Sequence, residues 1–218
     1  MEKKGKEGGI SMERFAALVK ENLRFHLPIP FVLSLGLVVL SPLFVGIRNL
    51  SPQETAKVLE YVLVFLGILL FPPVFLPEQN TEVRDLLRAR YTSLGTLYGI
   101  RVILALLSAL ALTGVYLAVL KEGNCSFELW KSYGGTISGI VFLGGMGIFA
   151  YGLTSQVVIG YMIPLLYYVL CMGAGPKKMG VFYLFAMTQG EFSWKIWQAG
   201  AGVLLLGAGI LLQMRKDR

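Results

Sequence analysis

Six apolar runs decide what this chain can fold into. They fall at about residues 27–47, 58–76, 100–120, 135–154, 157–175 and 197–214. A bilayer core about 30 Å thick takes roughly 20 helical residues to cross. Lipid offers no partner to backbone amides and carbonyls, so each run is expected to satisfy its own backbone as an α-helix. The predicted fold class is an all-α integral membrane protein with six transmembrane helices, one transmembrane domain spanning residues 1–218. Composition agrees: the 218 residues are 55% hydrophobic and 15% charged, too little charge for a water-soluble domain. Pro72, Pro73 and Pro77 remove donors near the end of the second run and are expected to kink or stop it. Only Ser155 and Gln156 separate the fourth and fifth runs, which predicts a tight helical hairpin.

Lysine and arginine placement sets the expected orientation. With the N-terminus inside, inner segments hold 13 of these residues and outer segments 7, Lys195 among the latter. The bias predicts both termini on the cytoplasmic side. Trp130, Trp194 and Trp197 then all fall at the outer boundary, where indole rings prefer the headgroups. The net charge of +7 fits basic loops facing an anionic leaflet. No basic tract with interleaved aromatics points to nucleic acid. The two cysteines, Cys125 and Cys171, are too few for a disulfide framework and lack metal-ligand spacing. No cleavable signal peptide is evident, since the first oily run is long and lacks a small-residue cleavage site.

Residues 1–26 are expected to be a cytoplasmic tail and an interfacial helix. Ser11 is placed to cap a helix over 12–24. Met12, Phe15, Ala16, Val19 and Leu23 share one face at helical spacing, while Glu13, Arg14, Lys20, Glu21 and Arg24 occupy the other. Such a helix lies in the membrane interface, although the same stripe also fits a protein partner. Pro28 and Pro30 then turn the chain into the first span.

Between the second and third runs lie six formal charges in thirteen positions: Glu78, Glu82, Arg84, Asp85, Arg88 and Arg90. At about 3 kcal/mol each, burying them at mid-bilayer would cost of order 15–20 kcal/mol. The segment 77–95 therefore belongs in water, on the cytoplasmic side in this orientation. Thr81 is placed to cap a short helix whose Val83, Leu86, Leu87 and Leu94 line one side. A solvated loop is the plainer alternative, because charge runs usually face solvent.

This acidic, then leucine-rich, then basic order, followed by Thr92, Ser93 and a new span, resembles the ABC-2 type transporter permeases. The wider layout is similar as well: an interfacial helix, six spans, and an irregular outer segment between the fifth and sixth. The family often has a glycine between its acidic residue and the leucine pair, where this chain reads Glu82, Val83, Arg84, Asp85. The resemblance implies that 77–95 is a coupling segment. Glu78, Glu82, Arg84, Asp85, Arg88 and Arg90 would contact a separate ATP-hydrolysing subunit, and Phe15, Val19, Leu23 and Arg24 would lie on the interfacial helix beside it. ATP and magnesium would be bound by that partner, so no cofactor and no enzymatic activity are expected in this chain. A second permease chain, identical or not, would complete the pathway. The resemblance also implies that 176–196 forms short re-entrant helices at the outer mouth of a multi-pass protein of the bacterial plasma membrane. Residue by residue, a surface loop dipping into the headgroups fits there too.

Tyr161 and Tyr168 share a face of the fifth run and are candidate pathway-lining residues, or ordinary bundle packing. Gly135 and Gly139 are four apart; Gly200 and Gly207, and Gly202 and Gly209, are seven apart. Both spacings bring helices close. Glu60 is expected near an outer helix end and Arg101 near an inner one, with no ion site at the midplane. The stretch from Gly173 to Gly180 lacks the hydroxyl of a phosphate loop. Intramembrane proteolysis is disfavoured: Thr136 stands where a serine-protease motif at Ser138 needs glycine, and His26, the single histidine, precedes the first span. A non-transporting membrane assembly or immunity protein is the alternative to an exporter subunit.

Overall fold

Prolines and glycines shape this all-helical chain more than its charges do. The computed structural model describes residues 28–44, 46–79 and 94–216. Among them there is no strand. Helix α1 is Pro28–Phe44. The second span, Pro52–Pro77, is built from α2 (Pro52–Tyr61), a 3-10 turn (Leu63–Phe65), α3 (Leu66–Leu70) and a 3-10 stretch (Pro72–Gln79). Then come α4 (Leu94–Glu122), α5 (Leu129–Thr154), α6 (Val157–Ala174), the four-residue α7 (Pro176–Met179) and α8 (Trp194–Lys216).

Five of these segments are long and apolar enough to cross a membrane: Pro52–Pro77, α4, α5, α6 and α8. The chain is thus a multi-pass membrane protein. The first run is described as a helix over 17 residues, with Pro42 inside. At about 1.5 Å per residue that is roughly 26 Å.

Backbone contacts define two ends. At the loop end, the connections 46–51 and 123–128 pair with each other: Asn49 N donates to Gly123 O (2.8 Å) and Ser126 N to Leu50 O (3.0 Å). At the hairpin end, α5 stops at Ser155, whose φ of 56° is left-handed, and α6 begins two residues later. That is the tight hairpin its sequence predicts. The Lys216 ammonium closes this end, donating to Leu153 O (2.7 Å) and Ser155 Oγ (3.2 Å).

The core sits around α5 and the second span. Glycines let neighbouring elements approach α5 closely. A Cβ on Gly145 would lie 2.5 Å from Gly202 O, and one on Gly152 would lie 2.6 Å from Gly209 O. Hence α8 packs backbone to backbone on α5, and Gly202 and Gly209 are used within the chain. Gly139 faces Val64, Gly144 faces the Phe71 ring, and Gly147 faces Gly160 and Pro72. Phe75 stacks on Tyr151 at 4.2 Å and meets Tyr98 edge-on.

The second span is broken twice. Its prolines produce the 3-10 stretch at the hairpin end, where Pro77 cannot donate to the Val74 carbonyl three residues back. The Arg101 guanidinium does so instead, at 2.9 Å. The other break, at 62–65, contains neither proline nor glycine. There Phe65 N bonds Val62 O (3.2 Å) rather than Tyr61 O. The Tyr61 carbonyl takes the Tyr168 hydroxyl, at 2.7 Å.

Candidate functional site

The break at 62–65 adjoins the most polar buried cluster among the described residues. Its first member comes from α2. Ser51 and Glu54 form a reciprocal cap at the loop end, with Pro52 in the first turn. The helix so started carries Thr55, Ala56, Val58, Leu59 and Glu60 inward. Glu60 is 0% exposed. Its second member comes from α8, whose inward face is Lys195, Gln198, Gly202, Gly209 and Gln213. Lys195 is 3% exposed.

The two charges meet at 2.7 Å between Lys195 Nζ and Glu60 Oε1. Around them runs a segment with no regular ladder. Tyr183, Leu184, Phe185, Ala186 and Met187 are buried, although only short 3-10 turns flank them at Gly180–Phe182 and Met187–Gln189. Buried irregular backbone leaves its polar groups without partners unless side chains supply them.

Here side chains supply them nearly residue by residue. Tyr167 OH donates to Phe182 O at 2.6 Å. Gln198 Nε2 donates to Tyr183 O at 2.7 Å. Lys195 Nζ donates to Leu184 O at 2.6 Å. Thr188 Oγ1 donates to Phe185 O at 2.6 Å. Ala186 O accepts from Gln189 N and Glu191 N. Glu60 accepts from Met187 N on Oε1 (2.9 Å) and Thr188 N on Oε2 (3.0 Å). Lys195 spends its third donor on Gln198 Oε1 at 3.1 Å. An ammonium has three donors, and all three are used. The arrangement is a saturated clamp on 182–188. Its aromatic floor completes it: Tyr61 stacks flat on Phe185 at 4.2 Å, and Tyr168 meets Phe185 edge-on.

The sequence placed Glu60 near an outer helix end but put Lys195 in the outer loop and paired it with nothing. Lys195 instead lies inside α8, its charge compensated by Glu60. Leaving out both buried cations, Lys195 and Arg101, the lysine and arginine bias is 12 to 6, and the expected sidedness is unaltered. A signal was present: Lys195 stands seven before Gly202, which stands seven before Gly209. The glycine face extends back to this lysine, and a helix face that buries two glycines buries the residue in register with them.

Tyr168 serves the clamp's neighbourhood, as partner of the Tyr61 carbonyl. Tyr161 lies toward the hairpin end, on a cavity of about 210 Å³ lined also by Ile29, Pro30 and Leu33 of α1 and Pro73 and Pro77 of the second span. Both tyrosines are half-buried and pack against the cluster that holds Phe142, Leu143 and Cys171. Trp130 and Trp197 are 83% and 67% exposed at the loop end. Glu82, Arg84, Asp85, Arg88 and Arg90 lie outside the described residues, as do Phe15, Val19, Leu23, Arg24 and the side chain of Glu78. No group of three or more histidine, cysteine or acidic residues suited to a metal occurs among the described residues. The chain matches no family model, and no curated protein and no solved structure is significantly similar to it.

Proposed function

We propose that this chain is the membrane subunit of an ATP-binding cassette exporter of the ABC-2 type. It would cross the plasma membrane six times, with both termini in the cytoplasm. A separate ATPase subunit would bind ATP and magnesium, and a second permease chain would complete the pathway.

The observation that carries this reading is which end of the bundle flanks the charged stretch 78–90: the proline-broken end of the second span precedes it and the start of α4 follows it. The same end of the bundle holds the start of α1, where Ile29 and Pro30 lie beside Pro77. It also holds the end of α8, where Lys216 reaches Leu153. A partner below the membrane would meet all three together. For α1, six crossings are supported by its course. It begins beside Pro77, and further along the Ser41 hydroxyl donates to Tyr116 OH at 3.0 Å toward the loop end.

Coupling follows from the second span. A push on 77–95 enters a helix whose far half is pinned at Glu60 and whose middle is interrupted by the 3-10 turn Leu63–Phe65. Such a span transmits a displacement as movement of one half against the other.

The test is co-purification from native membranes. An ATP-hydrolysing subunit should accompany the chain, and Arg84→Glu with Arg88→Glu should release it and abolish permease-stimulated hydrolysis. An ATPase that stays bound and coupled after this reversal, or residues 82–90 labelled from the exterior, overturns the assignment. A second reading is a non-transporting assembly or immunity protein. It is favoured by the closed packing of α5 against α8 and the second span, backbone on backbone. A functional preparation without a nucleotide-hydrolysing companion would decide for it.

A further inference from the structure

We propose that residues 181–189 form a hinged lid at the loop end, latched shut by the Glu60–Lys195 pair. Three independent observations converge on this.

The first is the hinges. Gly180 has φ of 54° and Gly190 φ of 79°, both in the left-handed region. A Cβ at either position would meet nothing within 4 Å. Crowding therefore does not require glycine there; backbone conformation does. The two positions bracket the segment.

The second is how the segment is held. Among the described residues, its hydrogen bonds to other parts of the fold come from side chains, chiefly Tyr167, Gln198, Lys195 and Glu60. No helix or strand ladder ties it down. Its backbone bonds within 180–191 are local turns, which can travel with it as a unit. With side chains as its outer ties and a positive-φ glycine at either end, the segment can open as a unit once those ties are released. The latch keeps it closed.

The third is what lies beneath. Tyr183, Leu184 and Phe185 pack in one cluster with Val64, Ile68, Phe142, Leu143 and Cys171. Cys171 is 0% exposed, yet it stands only three residues before the end of α6 at Ala174. The segment 183–185 covers it on the side toward that helix end. Opening uncovers this thiol, which makes it a native reporter.

The experiment uses the full-length chain in lipid nanodiscs, with Cys125→Ser so that Cys171 is the single thiol. A small maleimide is added and the labelling rate is followed. Glu60→Gln should raise the Cys171 rate on the order of a hundredfold, because an uncompensated Lys195 is left buried and the segment opens to reach water. Gln198→Leu removes the tie to Tyr183 O without touching the thiol and should raise the rate about tenfold. A matched control set carries Cys171→Ser and Ala109→Cys, the latter at a fully buried position in the other core cluster. The thiol introduced there should remain as protected as in the parent.

An unchanged Cys171 rate in Glu60→Gln, or in Gln198→Leu if Glu60→Gln fails to assemble, overturns the lid. So does a parallel rise in labelling of the Ala109→Cys control, which would mean that the whole bundle loosens. The lid stands or falls apart from the transport reading, since the labelling needs no ATPase partner.

Discussion

Two seams of this molecule solve the same packing problem in opposite ways. Along α5 and α8 both partners are regular helices whose backbones are already satisfied, so they approach by deleting side chains. Gly145 and Gly152 meet Gly202 and Gly209 with carbonyls where Cβ atoms would be. At the loop end one partner is irregular, so the seam is made by adding polar side chains: Glu60, Lys195, Gln198 and Tyr167 answer the backbone of 182–188. The α8 helix uses both devices on a single face, polar at Lys195 and Gln198, then glycine at Gly202 and Gly209. What decides between them is whether the opposing backbone satisfies itself. In a medium that solvates neither charge nor amide, regularity permits contact without chemistry, and irregularity demands chemistry at every residue.

The largest expected effect comes from breaking the polar seam at its charge pair. Lys195→Met leaves a buried carboxylate, and destabilisation of about 3–5 kcal/mol is expected, read as a fall in thermal midpoint in detergent. The exchange Glu60→Lys with Lys195→Glu sharpens the comparison. It restores opposite charges, so a pair valued only for Coulomb attraction would recover. Here it should not recover, because a lysine cannot accept from Met187 N and Thr188 N, and a carboxylate cannot donate to Leu184 O. Recovery to near the parent midpoint would show that the backbone bonds matter little.

Breaking the glycine seam ranks next. A Cβ at Gly202 would sit 2.8 Å from Phe142 Cα and N. These are backbone atoms of a central helix and cannot swing aside. Gly202→Val should cost about 1–3 kcal/mol through overpacking. A polar network elsewhere offers no compensation, so the loss should be insensitive to changes at Glu60. Coupling between Gly202→Val and Glu60→Gln beyond about 0.5 kcal/mol in a double-mutant cycle would mean the seams are not separate.

The sequence exposes these two seams unequally. Hydropathy marks the helices, and seven-residue spacing marks Gly202 and Gly209, because regular helices write their contacts in a regular period. The pair at Ser155 and Gln156 announces its hairpin by brevity alone. The proline-broken end of the second span is equally visible, since proline's missing donor is a local property. The break at 62–65 is not visible. No proline or glycine marks it, and its partners, the Tyr168 hydroxyl on Tyr61 O and the Phe185 ring on Tyr61, are far off in sequence. Glu60 and Lys195 are likewise separated by most of the chain. Each reads as a boundary charge until the irregular backbone that joins them is in place. The sequence periodicity that buries Lys195 is legible in retrospect, but its partner is tertiary information.

The smallest effect tests the outer side of the glycine helix. Gly200 and Gly207 repeat at the same interval as Gly202 and Gly209, yet a Cβ on either meets nothing within 4 Å. In a lone chain Gly200→Ala therefore adds no clash and removes backbone freedom from the unfolded state. It should stabilise by about 0.5–1 kcal/mol, a rise of a few degrees in thermal midpoint, where Gly202→Ala two residues on should lower it. The contrast isolates close approach from helix propensity, because both substitutions are identical in chemistry and lie in the same helix. If instead Gly200→Ala lowers the midpoint, and does so more at protein concentrations where two chains associate, then α8 carries a second seam of the first kind. In that case its outward glycines meet the backbone of another chain as its inward glycines meet α5.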